Sequence, residues 1–186
     1  MKIKSLKEKA LPITPSQTVG PYFAYGLVPE QYLYDFKSLF SGSMVSMDRQ
    51  SEIITIIGNV YDGQGELIPD AMIELWQNDG ENALIGRYGT GTDPQNRFIF
   101  HTIKPKSVDG QAPFITAIVF MRGQLIHSYT RIYFEDEAGL NEQDKLLGSI
   151  PETRRNTLIA RKVSGNNVYK FDIHMQGDDE TVFFVF

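Results

Sequence analysis

The chain has 186 residues, 41% of them hydrophobic and 22% charged, which suits one soluble domain with a sizeable core and excludes a fibrous or wholly disordered chain. A formal net charge of -5 excludes a general nucleic-acid binder, because neutralising phosphates takes clustered Lys and Arg. With no cysteine, thiol catalysis, disulfides and Cys-based zinc sites are excluded as well.

The opening residues are basic and never build the uninterrupted apolar run of a secretory signal, and no segment approaches a membrane-spanning length. No membrane partner is expected, and the cytoplasm is the expected location. Residues 1–24 carry lysines and then Pro12, Pro15, Gly20 and Pro21, so they should run as an extended arm of the kind that wraps a partner, ahead of a domain at 25–186. A short helical segment is expected at 29–40.

From Ile53 onward, short apolar runs alternate with Gly, Asn and Asp punctuation, the pattern of an all-β sandwich of mainly antiparallel strands with little helix. The predicted strands are 52–61, 71–77, 97–103, 113–121, 125–134, 156–164, 168–174 and 181–186. Gly63-Gln64-Gly65 predicts a hairpin between the first two, and Gly165-Asn166-Asn167 a hairpin before Val168. Residues 86–93 contain three glycines but lead into a strand rather than a helix, so they read as a loop and not a phosphate cradle. Residues 112–121 are apolar on both faces, which fits a strand covered on each side by the opposing sheet or by a partner chain. A second short helix is expected at 141–147, capped by Asn141.

His101, His127 and His174 lie in separate predicted strands with no second His at ligand spacing, so each reads as a strand residue and not a metal ligand. Tyr61, Tyr133 and Tyr169 read as core or sheet aromatics. Asp178-Asp179 and Glu135-Asp136-Glu137 fall between strands, where carboxylates cap and solvate. No G-x-S-x-G elbow supports nucleophilic hydrolysis. The residues by themselves give a β-sandwich with no catalytic set.

The run from Thr14 to Tyr22, TPSQTVGPY, resembles the opening signature of the intradiol ring-cleaving dioxygenases, in particular their protocatechuate-cleaving branch. The resemblance continues through Gly58-Asn-Val-Tyr-Asp-Gly63, Ile73-Glu-Leu-Trp-Gln77, His101-Thr-Ile-Lys-Pro105 and Thr130-Arg-Ile-Tyr-Phe-Glu-Asp-Glu-Ala138. Arg154-Arg155, Thr157-Leu-Ile-Ala160 and Glu180-Thr-Val-Phe-Phe184 resemble the alpha type of chain, which carries no iron.

The resemblance implies an alpha subunit that binds no metal itself and works with an iron-bearing beta subunit, whose Fe(III) site takes protocatechuate, or a related catechol, and O2 and gives 3-carboxy-cis,cis-muconate. In the iron-binding chains two histidines stand two apart in one strand. Here Phe114 and Thr116 hold those places, and neither offers an imidazole lone pair. Residues 78–85 form an insert much shorter than that of the catalytic chains, and Tyr88 aligns with a non-ligand position. The resemblance further implies that Gly20 and Pro21 lie against the aromatic substrate and that Arg122, in Phe120-Met-Arg-Gly123, is directed toward the subunit interface near the partner's site. A structural ion pair is the competing expectation for Arg122, and a diverged, non-catalytic binding or structural sandwich the competing expectation for the chain.

Overall fold

Strands form where the apolar residues recur at every second position, and their order decides which faces meet. In a computed structural model that describes residues 20, 23–46, 53–78, 82–163 and 165–185, β1 (Ile53–Tyr61), β2 (Met72–Asn78), β3 (Ala83–Gly89), β4 (Arg97–Ile103), β5 (Phe114–Phe120), β6 (Ser128–Phe134), β7 (Ile159–Lys162), β8 (Val168–Lys170) and β9 (Ile173–His174) pair in the order β3-β2-β5-β6-β7-β8-β1-β4, with β9 beside β1. The ladders of β1 with β4, β2 with β3 and β5, β5 with β6, and β7 with β8 are antiparallel. Those of β1 with β8 and β9, and of β6 with β7, are parallel.

This path folds over on itself at β7. Its first two residues pair with β6, as Ile159 opposite Tyr133 and Ala160 opposite Phe134, and its last two pair with β8, as Arg161 opposite Lys170 and Lys162 opposite Tyr169. The layer β3-β2-β5-β6 therefore lies over the layer β8-β1-β4. Their inner faces share one core in which Ile73, Leu75, Ile115 and Ile132 from the first layer meet Ile56, Phe98 and Phe100 from the second. Each such side chain contributes roughly 1.5–3 kcal/mol by leaving water. The free edges are strapped together: Arg87 of β3 donates its backbone N–H to the Ser41 carbonyl, and His101 of β4 donates to that of Gly42. A covered edge cannot recruit a foreign strand.

Several sequence expectations are corrected. The turn at Gly63–Gly65 closes locally, with Tyr61 bridged to Leu67, but β1 and β2 then enter different layers and form no hairpin. The hairpin at Gly165 does form, between β7 and β8, with Gly165 at φ +77°. The first half of the expected 86–93 loop belongs to β3, an edge strand paired to β2 along its whole length. The run expected at 168–174 is split into β8 and β9, and 181–186 contributes an isolated bridge of Phe184 to Tyr129 rather than a strand.

Helices are short: α1 (Phe23–Leu27), α2 (Ala138–Asn141), α3 (Lys145–Ser149) and α4 (Glu152–Arg155). α3 starts later than expected because Asp144, not Asn141, caps it, accepting from the Leu147 N–H at 2.8 Å. Among the described residues no helix is long and apolar enough to cross a membrane. Of the N-terminal arm, residues 1–19, Pro21 and Tyr22 lie outside the described residues.

The tightest backbone approach is at Gly58 in β1, where a Cβ would stand 1.7 Å from the Phe171 carbonyl oxygen and 2.6 Å from the Phe98 ring. Gly58→Ala is expected to lower unfolding free energy by about 3 kcal/mol or more in denaturant titration, since neither neighbour has room to shift. Gly139→Ala, with open space around the new methyl, is expected to be neutral to within about 1 kcal/mol.

The turn into β4 carries a pH-sensitive contact. Asp93 accepts from Arg97 Nε at 2.9 Å and Nη2 at 3.0 Å, and the guanidinium holds its carboxyl down at about 2 instead of 3.8. A lowered carboxyl stabilises the fold fully above its ordinary value, and that contribution is lost as the pH falls through about 2. Asp93→Asn is accordingly expected to flatten the decline of the denaturation midpoint between pH 4 and pH 2.

Candidate functional site

β5 is paired on both sides, so its side chains divide strictly between faces. Ile115, Ala117 and Val119 enter the core, leaving Phe114, Thr116 and Phe120 partly accessible on the outer face. Register then builds rows across the sheet: Trp76 of β2, Thr116 of β5 and Arg131 of β6 stand opposite one another, with Phe114 and Tyr133 opposite one another in the next row.

Phe114 and Thr116, the residues at the histidine places, line an outer-face cavity of about 500 Å³ together with Trp76, Gln77, Ala112 and Lys106. Its walls are mostly apolar, and among the described residues no acid lines it. Trp76 is 42% exposed, and its indole N–H donates to Glu74 Oε1 at 2.6 Å. The other Glu74 oxygen accepts from Arg87 Nε at 2.5 Å, and the Arg87 guanidinium lies 5.0 Å over the Phe40 ring. Glu74 is buried, so both of its oxygens need these donors.

Beneath the cavity the Arg131 guanidinium lies 3.8 Å from the centroid of the Phe114 ring. Arg131 Nη1 donates to Gln111 Oε1 at 3.0 Å and to the Tyr133 hydroxyl at 3.3 Å. Tyr133 is fully buried, and burial pushes its phenol above the ordinary tyrosine value. The carboxylate of Asp144 is engaged by the backbone N–H groups of Ala112 and Leu147. These residues do not fit a ferric ion: the two strand positions offer a benzene ring and a hydroxyl, the nearest phenol is held protonated, and a fixed cation stands beside them. Among the described residues no cluster of three or more His, Asp or Glu suits a metal.

The three histidines are apart. His101 Nδ1 is 3.1 Å from Thr55 Oγ1, His127 Nε2 is 2.7 Å from the Tyr129 hydroxyl, and the His174 ring stacks on Tyr61 at 4.9 Å. Tyr88 packs against the core edge-on to Phe100 at 6.0 Å. Asp136 joins Lys104 at 2.8 Å and the Tyr169 hydroxyl at 2.8 Å, so the acidic run at 135–137 ties the layers together.

Of the residues expected to serve a partner's site, Gly20 and Arg122 stand at the far end of β5. The seven-residue run from Phe114 to Phe120 spans roughly 20 Å. There Phe23 of α1 donates its N–H to the Gly20 carbonyl at 3.0 Å and lays its ring 5.5 Å from that of Phe120. Arg122 follows two residues later, bound through Nε to Asp70 at 2.5 Å, and its side chain is still 59% exposed. Gly20 and Arg122 thus share one edge of the molecule, while Pro21 lies outside the described residues. The ion-pair expectation for Arg122 is met without burying the guanidinium. Sequence reasoning missed Asp70 and Arg131, whose partners are set by pairing across strands and carry no local signal.

Glu74→Gln is expected to lower stability by about 3 kcal/mol, because it leaves a mostly buried Arg87 uncompensated. The same variant is expected to shift the emission of Trp76, the one tryptophan of the chain.

No family model matches the chain. Curated relatives do. The chain is 46% identical over 189 residues to the protocatechuate 3,4-dioxygenase alpha chain of Burkholderia cepacia, covering 92% of this chain and 96% of the relative. It is 40% identical over 197 residues to the protocatechuate 3,4-dioxygenase alpha chain of Pseudomonas putida, covering 95% and 98%. Among solved structures, the dioxygenase domain of a carbohydrate-binding protein fusion from Streptomyces sp. SirexAA-E superposes with a TM-score of 0.60 at 21% identity, over 88% of this chain and 98% of that one, a likeness of fold.

Proposed function

Because the chain belongs to the protocatechuate 3,4-dioxygenase alpha chains, we propose that it is the metal-free partner of an iron-bearing beta chain and completes that chain's active site with Gly20, Pro21 and Arg122. The observation that carries this reading is the edge at the end of β5. A cation anchored by one nitrogen and still largely accessible stands there beside the point where the arm leaves the domain.

The Fe(III) of the beta chain would supply activation of the catecholate toward dioxygen, so the ring opens between its two hydroxyl carbons to give 3-carboxy-cis,cis-muconate. This chain's residues bind and orient. Arg122 offers a planar fork suited to a carboxylate, and Asp70 fixes its Nε so that less rotamer freedom is lost on binding. Pro21 brings an apolar edge without an N–H that an aromatic ring would leave unpaired. Phe23, its ring tilted 5.5 Å from that of Phe120 and its N–H on the Gly20 carbonyl, ties Gly20 to this edge.

A second reading, a diverged non-catalytic sandwich, draws on Phe114 and Thr116, and co-expression separates the two. Under the proposal the chain purifies with an iron-bearing chain and the pair cleaves protocatechuate, whereas the chain alone shows neither tyrosinate-to-iron colour nor oxygen uptake.

In that pair, Arg122→Ala is expected to raise KM for protocatechuate about 10- to 100-fold, the worth of one hydrogen-bonded charge pair, with a smaller change in kcat. Arg122→Lys should recover part of the loss. Unchanged KM in both variants overturns the role given to Arg122.

A further inference from the structure

The outer face of β5 has a fixed positive charge built into it, and the charge is held too well to be incidental. The Arg131 guanidinium stacks 3.8 Å from the centroid of the Phe114 ring and is clamped by Gln111 Oε1 at 3.0 Å and the Tyr133 hydroxyl at 3.3 Å. Register puts Arg131 directly opposite Thr116. Side chains opposite one another on neighbouring strands stand about 5 Å apart at Cβ, so a cation gripped from positions 114 and 116 would lie against this guanidinium.

Among the described residues no carboxylate forms an ion pair with Arg131. The carboxylate near it, Asp144, is engaged by the N–H groups of Ala112 and Leu147, with its Oδ1 3.5 Å from the Tyr133 hydroxyl. Lys106 lines the same cavity, Lys145 lines a neighbouring hollow with Arg131, and the acidic member of that hollow is the exposed Asp109. Like charges repel most strongly where water is displaced, and the stacked ring displaces it on one side of Arg131.

We propose that Arg131 is a metal-excluding residue: its guanidinium occupies and charges the place a cation would need, so restoring imidazoles at 114 and 116 does not by itself make a metal site. The same side chain replaces the cross-link a metal would provide, tying β5, β6 and the 111–112 turn through Phe114, Tyr133 and Gln111. This inference concerns the chain's own cavity and does not rest on the reaction assigned to the pair.

The test uses the full chain alone and Co²⁺ as the probe, read by visible absorption and by calorimetry. Phe114→His with Thr116→His is compared with the same pair plus Arg131→Gln, which keeps a hydrogen-bonding side chain for Gln111 and Tyr133. The third substitution is expected to tighten Co²⁺ binding at least 100-fold, and Arg131→Lys in its place to leave the site closed because the charge is kept. Equal binding with and without Arg131, or no binding in any variant, overturns the proposal. Folding of each variant is checked by Trp76 emission, and Arg131→Met replaces Arg131→Gln if the latter does not fold.

Discussion

Pairing on both sides fixes the register of β5, and with it everything else that distinguishes this molecule. A strand held by β2 along one edge and β6 along the other cannot slip without turning Ile115, Ala117 and Val119 out of the core. The outer face is then set by parity. Phe114 and Thr116 face outward beside Trp76 and Arg131 at one end, and Phe120 faces outward beside α1 at the other. The cavity lined by Phe114 and Thr116 and the edge proposed to meet a partner are thus two ends of one strand, separated along it and governed by the same alternation.

That separation gives physical content to a division of labour between subunits. At the Phe114 end stand a benzene ring, a hydroxyl and the guanidinium of Arg131. At the Arg122 end the chain exposes a cation with one nitrogen tied to Asp70, beside the Phe23–Phe120 contact. Losing the first does not disturb the second, because the intervening residues are held by backbone ladders that do not depend on either set of side chains.

Much of the fold was legible because parity is local. Apolar runs set off by Gly, Asn and Asp mark strands at 97–103 and 113–121, and Gly165 marks a turn, from the chain alone. What was not legible depended on which layer a strand joins. The turn at Gly63–Gly65 looks like a hairpin, yet β2 leaves for the other layer because its inner residues pack opposite β1 instead of beside it. β3 was hidden by Gly86 and Gly89, which are needed where Met44 and Tyr32 press on the backbone. In the site, Phe114, Thr116 and Arg122 were found through the family pattern. Arg131 and Asp70 were not, since the contact of Arg131 with Phe114 spans 17 positions and that of Arg122 with Asp70 spans 52, and only the ladder brings them together.

β7 bears on how such a chain can answer a partner. Its four residues are split between neighbours in opposite layers, so it acts as a stitch through both sheets. A sandwich sewn in this way cannot gape like a bivalve shell when something presses on its rim, since parting the layers would tear backbone hydrogen bonds rather than slide apolar side chains. In the proposed pairing, accommodation at the Arg122 rim is therefore left to rotamers and to the short segments outside the ladders, and the rest of the body would meet its neighbour as a rigid block.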